Sequence, residues 1–136
     1  MRALDTNVLV RYLTADEPVQ ARAAERFIEV CRKNEEPLFI SILVLCETAW
    51  VLARTYRQPK AEVIRTLEQI IETNLFIIER DDLVRRSIEQ FRLGKANFAD
   101  YLIGNIARNA GCTDTVTFDR ALAASPEFTV LHRSSA

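Results

Sequence analysis

The sequence predicts an α/β fold: a three-layer α/β/α sandwich with a mostly parallel five-stranded sheet. Short apolar segments alternate with amphipathic helical patterns along the chain. Apolar strands of four or five residues separated by helices are typical of parallel sheets that helices cover on both faces. The 136 residues are 49% hydrophobic and 27% charged, which favours one globular domain over residues 1–136.

The first half of the chain predicts three strands and four helices. Pro18 favours the first turn of a helix, and the Ser41 hydroxyl can cap the apolar helix ILVLCETAWVLARTY. In chain order the predicted elements are a strand at 2–5, helices at 7–13 and 18–33, a strand at 37–41, helices at 42–56 and 60–72, and a strand at 75–78.

The second half predicts two further strands. Its elements are a helix at 81–93, a helix that starts at Asn97 and is closed by Gly111, a strand at 112–117, a short helix and a strand at 128–132. With right-handed crossovers this succession fits the strand order 3-2-1-4-5. Strands 1 and 4 would then flank the point where the topology reverses.

Four acids lie where that topology would bring them together. Asp5 ends the first strand and Asp119 follows the fourth, and ligands of open α/β sheets bind at such strand ends. Asp100 lies in the first turn of its helix, and Glu47 interrupts an apolar helix where a solvated charge is least expected. Carboxylates ~5 Å apart repel by about 3 kcal/mol per pair at an effective dielectric of about 20. A divalent cation resolves that conflict, and an all-oxygen ligand set favours Mg²⁺ or Mn²⁺.

Each acid also has a local interpretation. Asp5 can cap the helix after it, Asp100 can take part in a capping box, and Asp119 can complement a helix dipole. For Glu47 the alternative is an ion pair with Arg54, two turns away. A coincidence of all four local roles is much rarer than any one of them, so the metal site is favoured.

Zinc and disulfide chemistry are not favoured. The single histidine, His132, is expected at the surface, and the widely spaced Cys31, Cys46 and Cys112 are expected to be buried as small hydrophobes. No apolar run reaches the ~18 residues that span a bilayer, and no signal peptide is recognisable. A cytoplasmic location is therefore expected.

Four segments together resemble the motifs of the PIN domain family, specifically its VapC-type toxin ribonucleases. They are LDTNVLVRYL with Asp5, CETAWVL with Glu47, NFADYLI with Asp100 and TVTFDRALA with Asp119. The resemblance implies a Mg²⁺- or Mn²⁺-dependent endoribonuclease, usually dimeric. It also implies a toxin that an antitoxin protein holds inactive by occupying or distorting the acidic site.

The resemblance further implies roles for individual residues. Asp5, Glu47, Asp100 and Asp119 match the family's acidic metal-binding and catalytic positions. Thr6, Asn7 and Thr117 match polar positions that orient the acids or a metal-bound water. Many relatives carry a second aspartate after the one in the last motif, whereas Ala121 and Leu122 stand here. Asp119 is therefore the sole acid of that motif.

Contacts to RNA or to the antitoxin are expected around the acids. Fifteen of the eighteen basic residues are arginine, which suits phosphate, although the formal net charge is −1. The candidates for backbone phosphates or acidic antitoxin side chains are Arg11, Arg54, Arg57 and Arg120. Leu45, Trp50 and Leu52 could extend a groove for an antitoxin helix, but for Trp50 core packing is the stronger expectation.

Three other functions are alternatives to this one. A receiver-like Mg²⁺-binding signalling module needs an Asp after the third strand and a Lys after the fifth; here the third strand ends in Glu79 and Arg80, and no Lys follows Lys95. A haloacid-type phosphatase needs an Asp where Asn7 stands. A catalytically silent PIN-like binding domain stays open.

Overall fold

The structure is a computed structural model that describes residues 1–132. The chain forms two compact units, residues 1–81 and the residues from 82 onward. The last four residues of the predicted domain, 133–136, lie outside the described part. Among residues 1–132 no helix combines the length and the apolar character needed to cross a membrane.

The first unit contains a parallel three-stranded sheet in the order β1-β2-β3. Leu38 pairs with Arg2 on one side and with Phe76 on the other. The elements are β1 (Arg2–Ala3), α1 (Thr6–Thr14), α2 (Pro18–Lys33), β2 (Leu38–Ile40), α3 (Ile42–Arg54), α4 (Lys60–Glu72) and β3 (Phe76–Ile78).

The second unit contains a parallel pair of strands and the helices that precede it. Thr115 pairs with Phe128 and Thr117 with Val130. The elements are α5 (Asp81–Leu93), which begins at the boundary of the two units, α6 (Phe98–Asn109), β4 (Thr115–Thr117), a 3-10 helix (Arg120–Leu122) and β5 (Phe128–Val130).

The α/β class and the parallel strands are confirmed, and so are the predicted neighbours 3-2, 2-1 and 4-5. The single five-stranded sheet is not confirmed, because the strands form one sheet of three and one of two. All five strands are shorter than predicted. The fourth begins at Thr115 rather than 112, because the Cys112 N–H instead donates to the Ala107 carbonyl and prolongs the turn after α6.

The helices follow their local signals closely. α2, α4 and α5 have the predicted bounds. Ser41 caps α3 as expected, since its hydroxyl oxygen accepts the Val44 N–H at 3.1 Å. Pro18 occupies the first turn of α2, and the Glu17 carboxylate accepts the N–H groups of Val19 and Gln20. These caps fix where the helices begin.

The cysteines only partly meet the expectation of burial. Cys31 is buried and Cys46 is half-buried, where desolvation raises the pKa of its thiol to about 11. Cys112 is exposed, so the expectation was wrong there. The reason is that Cys112 lies in the turn after α6 and not on a helix face. His132 is exposed, as predicted.

A buried polar network joins α5, α6 and the start of β5 in the second unit. The Asn105 side-chain amide donates to the Ser87 hydroxyl at 2.8 Å and to Gln90 Oε1 at 2.7 Å. Gln90 donates onward to Glu127 Oε1, which also forms ion pairs with Arg86 at 3.3 Å and Arg108 at 3.7 Å. Glu127 is thus neutralised by two arginines.

Gly104 allows α6 to lie close to β5. A Cβ atom at Gly104 would stand 2.8 Å from two ring carbons of Phe128. Gly104→Ala gains about 1 kcal/mol of helix propensity but overpacks the contact, which typically costs 1–3 kcal/mol. We expect a net loss of about 1 kcal/mol in the free energy of unfolding, measured by urea denaturation. The double variant Gly104→Ala with Phe128→Leu should be less destabilised than the sum of the two single variants, and strict additivity would contradict the steric explanation.

Candidate functional site

Asp5 lies between β1 and α1, as predicted. Its backbone is extended, and Oδ1 accepts the Thr6 N–H at 2.8 Å. Asp5 therefore does cap α1, as its local interpretation predicts, but the cap uses only one of its two carboxylate oxygens. The side chain is exposed and lines a cleft of about 650 Å³ together with Asn7 and Arg11. Asp5 is consequently accessible to solutes.

Thr6 connects the first two predicted motifs. Its side chain is only 7% exposed, and Oγ1 donates to Glu47 Oε1 at 2.9 Å. This contact spans 41 positions of sequence and fixes Glu47 beside the start of α1. The prediction that Thr6 orients an acid has here a specific geometric basis.

Glu47 is exposed, whereas the apolar run around it predicts a depth at which a charge is costly. The expectation was wrong because the apolar run winds around a helix. Core positions on either side of Glu47, such as Leu45 and Leu52, are fully buried, while Glu47 lies on the outer face of α3. The alternative ion pair with Arg54 is absent among residues 1–132.

Asp100 and Asp119 are each held by a local turn in the second unit. Asp100 is half-buried in the first turn of α6, where Oδ2 accepts the Asn97 N–H at 2.9 Å. Asp119 is exposed, its Oδ1 accepts the Ala121 N–H at 2.9 Å, and its own N–H donates to Thr117 Oγ1 at 3.0 Å. The local capping roles considered from the sequence are therefore present as well.

The four acids share one feature: none of them is paired with a basic side chain among residues 1–132. Each places one carboxylate oxygen in a hydrogen bond, and across residues 1–132 the other oxygen has no hydrogen-bond or ion-pair partner. Several other carboxylates of the chain, including Glu127, are paired with arginine. Among residues 1–132, each motif acid thus has one carboxylate oxygen without a partner and no ion pair with a basic side chain.

Each unit contributes two of the acids. Asp5 and Glu47 belong to the first unit and are linked through Thr6, and Asp100 and Asp119 belong to the second. Among residues 1–132 no group of three or more Asp, Glu, His or Cys side chains is placed so that it could hold a metal ion. A metal site built from one unit alone would have at most two acidic ligands.

Arg11 has a structural role that sequence reasoning missed. Its Nε donates to Gln20 Oε1 at 2.8 Å and its Nη1 donates to the Tyr56 hydroxyl at 3.0 Å. The same guanidinium forms an ion pair with Asp16 at 3.5 Å. Hydrogen bonds to Tyr56 and Thr14 and the charge of Arg11 hold the pKa of Asp16 below its ordinary value.

The other predicted contact residues divide by exposure. Arg54, Arg57 and Arg120 are exposed and available to a partner. Leu45 and Leu52 are fully buried, so they cannot line an antitoxin groove. Trp50 is 61% exposed, so the expectation of core packing was wrong. The spacing of positions 43, 47, 50 and 54 on one helical face is the signal that could have shown this.

Comparisons with known proteins cover nearly the whole chain. The family model described as the PIN domain matches residues 2–127. A VapC ribonuclease from Aquifex aeolicus (strain VF5) is 28% identical over 120 residues, which are 88% of this chain and 88% of that protein. The crystal structure of Mycobacterium tuberculosis VapC20, described as a sarcin–ricin loop cleaving toxin, matches 92% of this chain and 95% of that chain, with 18% identity and a TM-score of 0.43. The region matched by the family model includes all four acids and residues of both units.

Tyr56→Phe tests the network around Arg11. Without the phenol oxygen, the pKa of Asp16 should move up toward its ordinary value. A carboxyl with a depressed pKa contributes stability that is present above its unfolded pKa and lost as the pH falls through its folded value. The variant should therefore lose less stability than the wild type on acidification below about pH 4. Carbon-detected NMR titration and urea unfolding measure the two effects, with Tyr12→Phe as the control, and an Asp16 pKa unchanged by Tyr56→Phe would contradict the assignment.

Proposed function

The chain belongs to the PIN domain family, and from this premise we propose that it is a Mg²⁺- or Mn²⁺-dependent endoribonuclease that acts as the toxin of a toxin–antitoxin pair. The family match confirms the resemblance of the four motifs. Support for the activity comes from the Aquifex relative, which is named a VapC ribonuclease and aligns over 88% of both chains. The observation that carries the proposal is that, among residues 1–132, no basic side chain pairs with any of the four motif acids.

The donor set fits a hard divalent cation. Asp5, Glu47, Asp100 and Asp119 would hold it, since they offer carboxylate oxygens that no basic side chain of the described residues neutralises. The Thr6 hydroxyl would orient Glu47 from outside the ligand shell, as the outer partners of metal ligands commonly do. When bound, such an ion would supply an activated water and neutralise charge on the phosphoryl oxygens.

The proposal requires that acids of the two units converge. A single sheet in the order 3-2-1-4-5 would achieve this, because β1 and β4 would then be neighbours and their carboxyl ends would lie at one edge. Asp5 follows β1 and Asp119 follows β4, so both would reach that edge. This sheet order is part of the proposal.

The chain's own residues define the kind of reaction. The single histidine, His132, is exposed near the end of the chain, so no pair of imidazoles can act as acid and base. The Thr6 hydroxyl donates to Glu47 of the second motif, the Thr117 hydroxyl accepts the backbone N–H of Asp119, and Asn7 shares the cleft with Asp5. Water rather than the ribose 2′-hydroxyl should attack, so cleavage should leave a 5′-phosphate and a 3′-hydroxyl.

Partners follow from the charges around these acids. We assign phosphate contacts first to the exposed Arg54, Arg57 and Arg120, because Arg11 is already bound to side chains of its own unit. An antitoxin with acidic side chains could use the same arginines. We further propose a homodimer and, since cellular RNA is the proposed substrate, a cytoplasmic location.

Within the PIN domain family the remaining alternative is a catalytically silent binding domain. The receiver-like module belongs to another family and is no longer an alternative. Incubation of the purified chain, free of its antitoxin, with total RNA distinguishes an active ribonuclease from a catalytically silent binding domain. We expect cleavage with Mg²⁺ or Mn²⁺, none with EDTA, and a loss of at least about 100-fold in Asp5→Asn. Glu25→Gln, an exposed change on α2, serves as the control. Equal cleavage under all conditions, or 2′,3′-cyclic phosphate ends, would contradict the mechanism.

Thr6→Val tests how Glu47 is held. Valine keeps the shape of threonine but removes the donor, so Glu47 loses its orientation while its exposed carboxylate stays solvated. We expect cleavage and Mn²⁺ affinity, measured by calorimetry, to fall by about 10- to 100-fold, with little change in unfolding temperature. Thr6→Ser retains a hydroxyl and should keep most of both. Equal loss in the two variants would show that the hydrogen bond is not the cause.

A further inference from the structure

An exposed stripe on α3 carries Glu47 and Arg54 together with two apolar residues, Leu43 and Trp50, to which the proposed function gives no role. The α3 stripe consists of Leu43, Glu47, Trp50 and Arg54, whose spacing of three or four residues places them within an arc of about 60°. All four are exposed, Leu43 by 69% and Trp50 by 61%. The opposite face of α3 is buried in the first unit.

Trp50 is the member of the stripe whose position needs an explanation. It is the only tryptophan of the chain, and burial of a large aromatic ring is strongly favourable. It lies one turn beyond Glu47, about 4.5 Å along the helix axis, and Arg54 lies one turn further on. A single exposed leucine such as Leu43 is ordinary on a protein surface. An exposed indole between a candidate catalytic carboxylate and an arginine is a less ordinary feature of a protein surface than an exposed leucine.

We propose that Trp50 is a base-stacking platform for single-stranded RNA. A base next to the scissile phosphodiester stacks on the indole ring, and Arg54 contacts a neighbouring backbone phosphate. This inference rests on the proposed ribonuclease function and adds a residue that binds the substrate beside the reacting group. Aromatic rings and arginines along a strand path are the usual means by which proteins hold single-stranded nucleic acid.

RNA fits the α3 stripe better than an apolar protein surface does. Along the stripe, apolar and charged side chains alternate, whereas protein interfaces have a contiguous apolar core from which charges are depleted. Arg54, and Arg57 just beyond the helix, offer positive charge on the side of Trp50 away from Glu47. A nucleotide presents both a stackable base and a phosphate, so it offers a partner to each of these groups.

The single tryptophan makes the proposal directly measurable. Asp5→Asn, which should not cleave, is mixed in Mg²⁺ with a fluorescein-labelled single-stranded RNA of about ten nucleotides and mixed sequence. We expect tryptophan fluorescence to be quenched in parallel with the rise in RNA anisotropy, and the same sequence as a duplex to quench much less. Binding seen by anisotropy without a change in tryptophan emission would overturn the proposal while leaving the proposed function intact. Absence of both RNA binding and wild-type cleavage would overturn both.

Kinetics with matched variants provide the second test. Trp50→Ala should raise KM for the single-stranded substrate by about 5- to 150-fold, which is the usual range for the loss of one stacked base, with a smaller effect on kcat. Trp50→Phe should recover most of that loss because it restores an aromatic face. Leu93→Ala, a change of an exposed apolar residue at the end of α5 and outside the α3 stripe, should leave cleavage unchanged. If Phe rescues no better than Ala, or if Trp50→Ala only relieves inhibition by a co-purified antitoxin, the stripe is not an RNA platform.

Discussion

The hydrogen bond from Thr6 to Glu47 is the contact on which the candidate site depends. Thr6 follows Asp5 directly and opens α1, whereas Glu47 lies in the second turn of α3. Through its backbone N–H and its hydroxyl, this one residue links two acids that are distant in sequence. A glutamate on an exposed helix face has several rotamers of similar energy, and the nearly buried donor selects among them. The junction of β1 and α1 therefore sets the positions of half the proposed ligands.

The motif acids and several other acids of the chain differ in the groups that bond their carboxylates. Glu127 is almost buried and is paired with Arg86 and Arg108, and Asp16 is paired with Arg11. The motif acids instead use backbone N–H groups or a hydroxyl, which fix the carboxylate but do not cancel its charge. Such an arrangement is stable while the acids face water. If they converge, it needs a cation, because their mutual repulsion would amount to several kcal/mol.

The parts of the fold that sequence predicted well are those with local causes. α2, α4 and α5 follow from apolar periodicity, and the Ser41 cap follows from its side chain. Strand lengths and sheet closure depend on contacts between distant segments, and there the prediction was less accurate. For the candidate site, the identity of the four acids stays a prediction. The exposure of Glu47 and Trp50 follows only when the apolar run around them is projected on a helix, which turns both side chains outward.

The two faces of α3 explain how the proposed RNA binding at Trp50 and the proposed cleavage beside Glu47 can be held at a fixed spacing. Leu45, Leu52 and the other inward residues hold the helix rigidly in the first unit, and the Ser41 cap fixes its first turn. The spacing between Glu47 and Trp50 is then set by the helix, because they stand on successive turns of α3. A base placed on the indole would therefore set the position of its own phosphate against the carboxylate. Substrate binding at that surface would align the bond to be cleaved without any movement of the backbone.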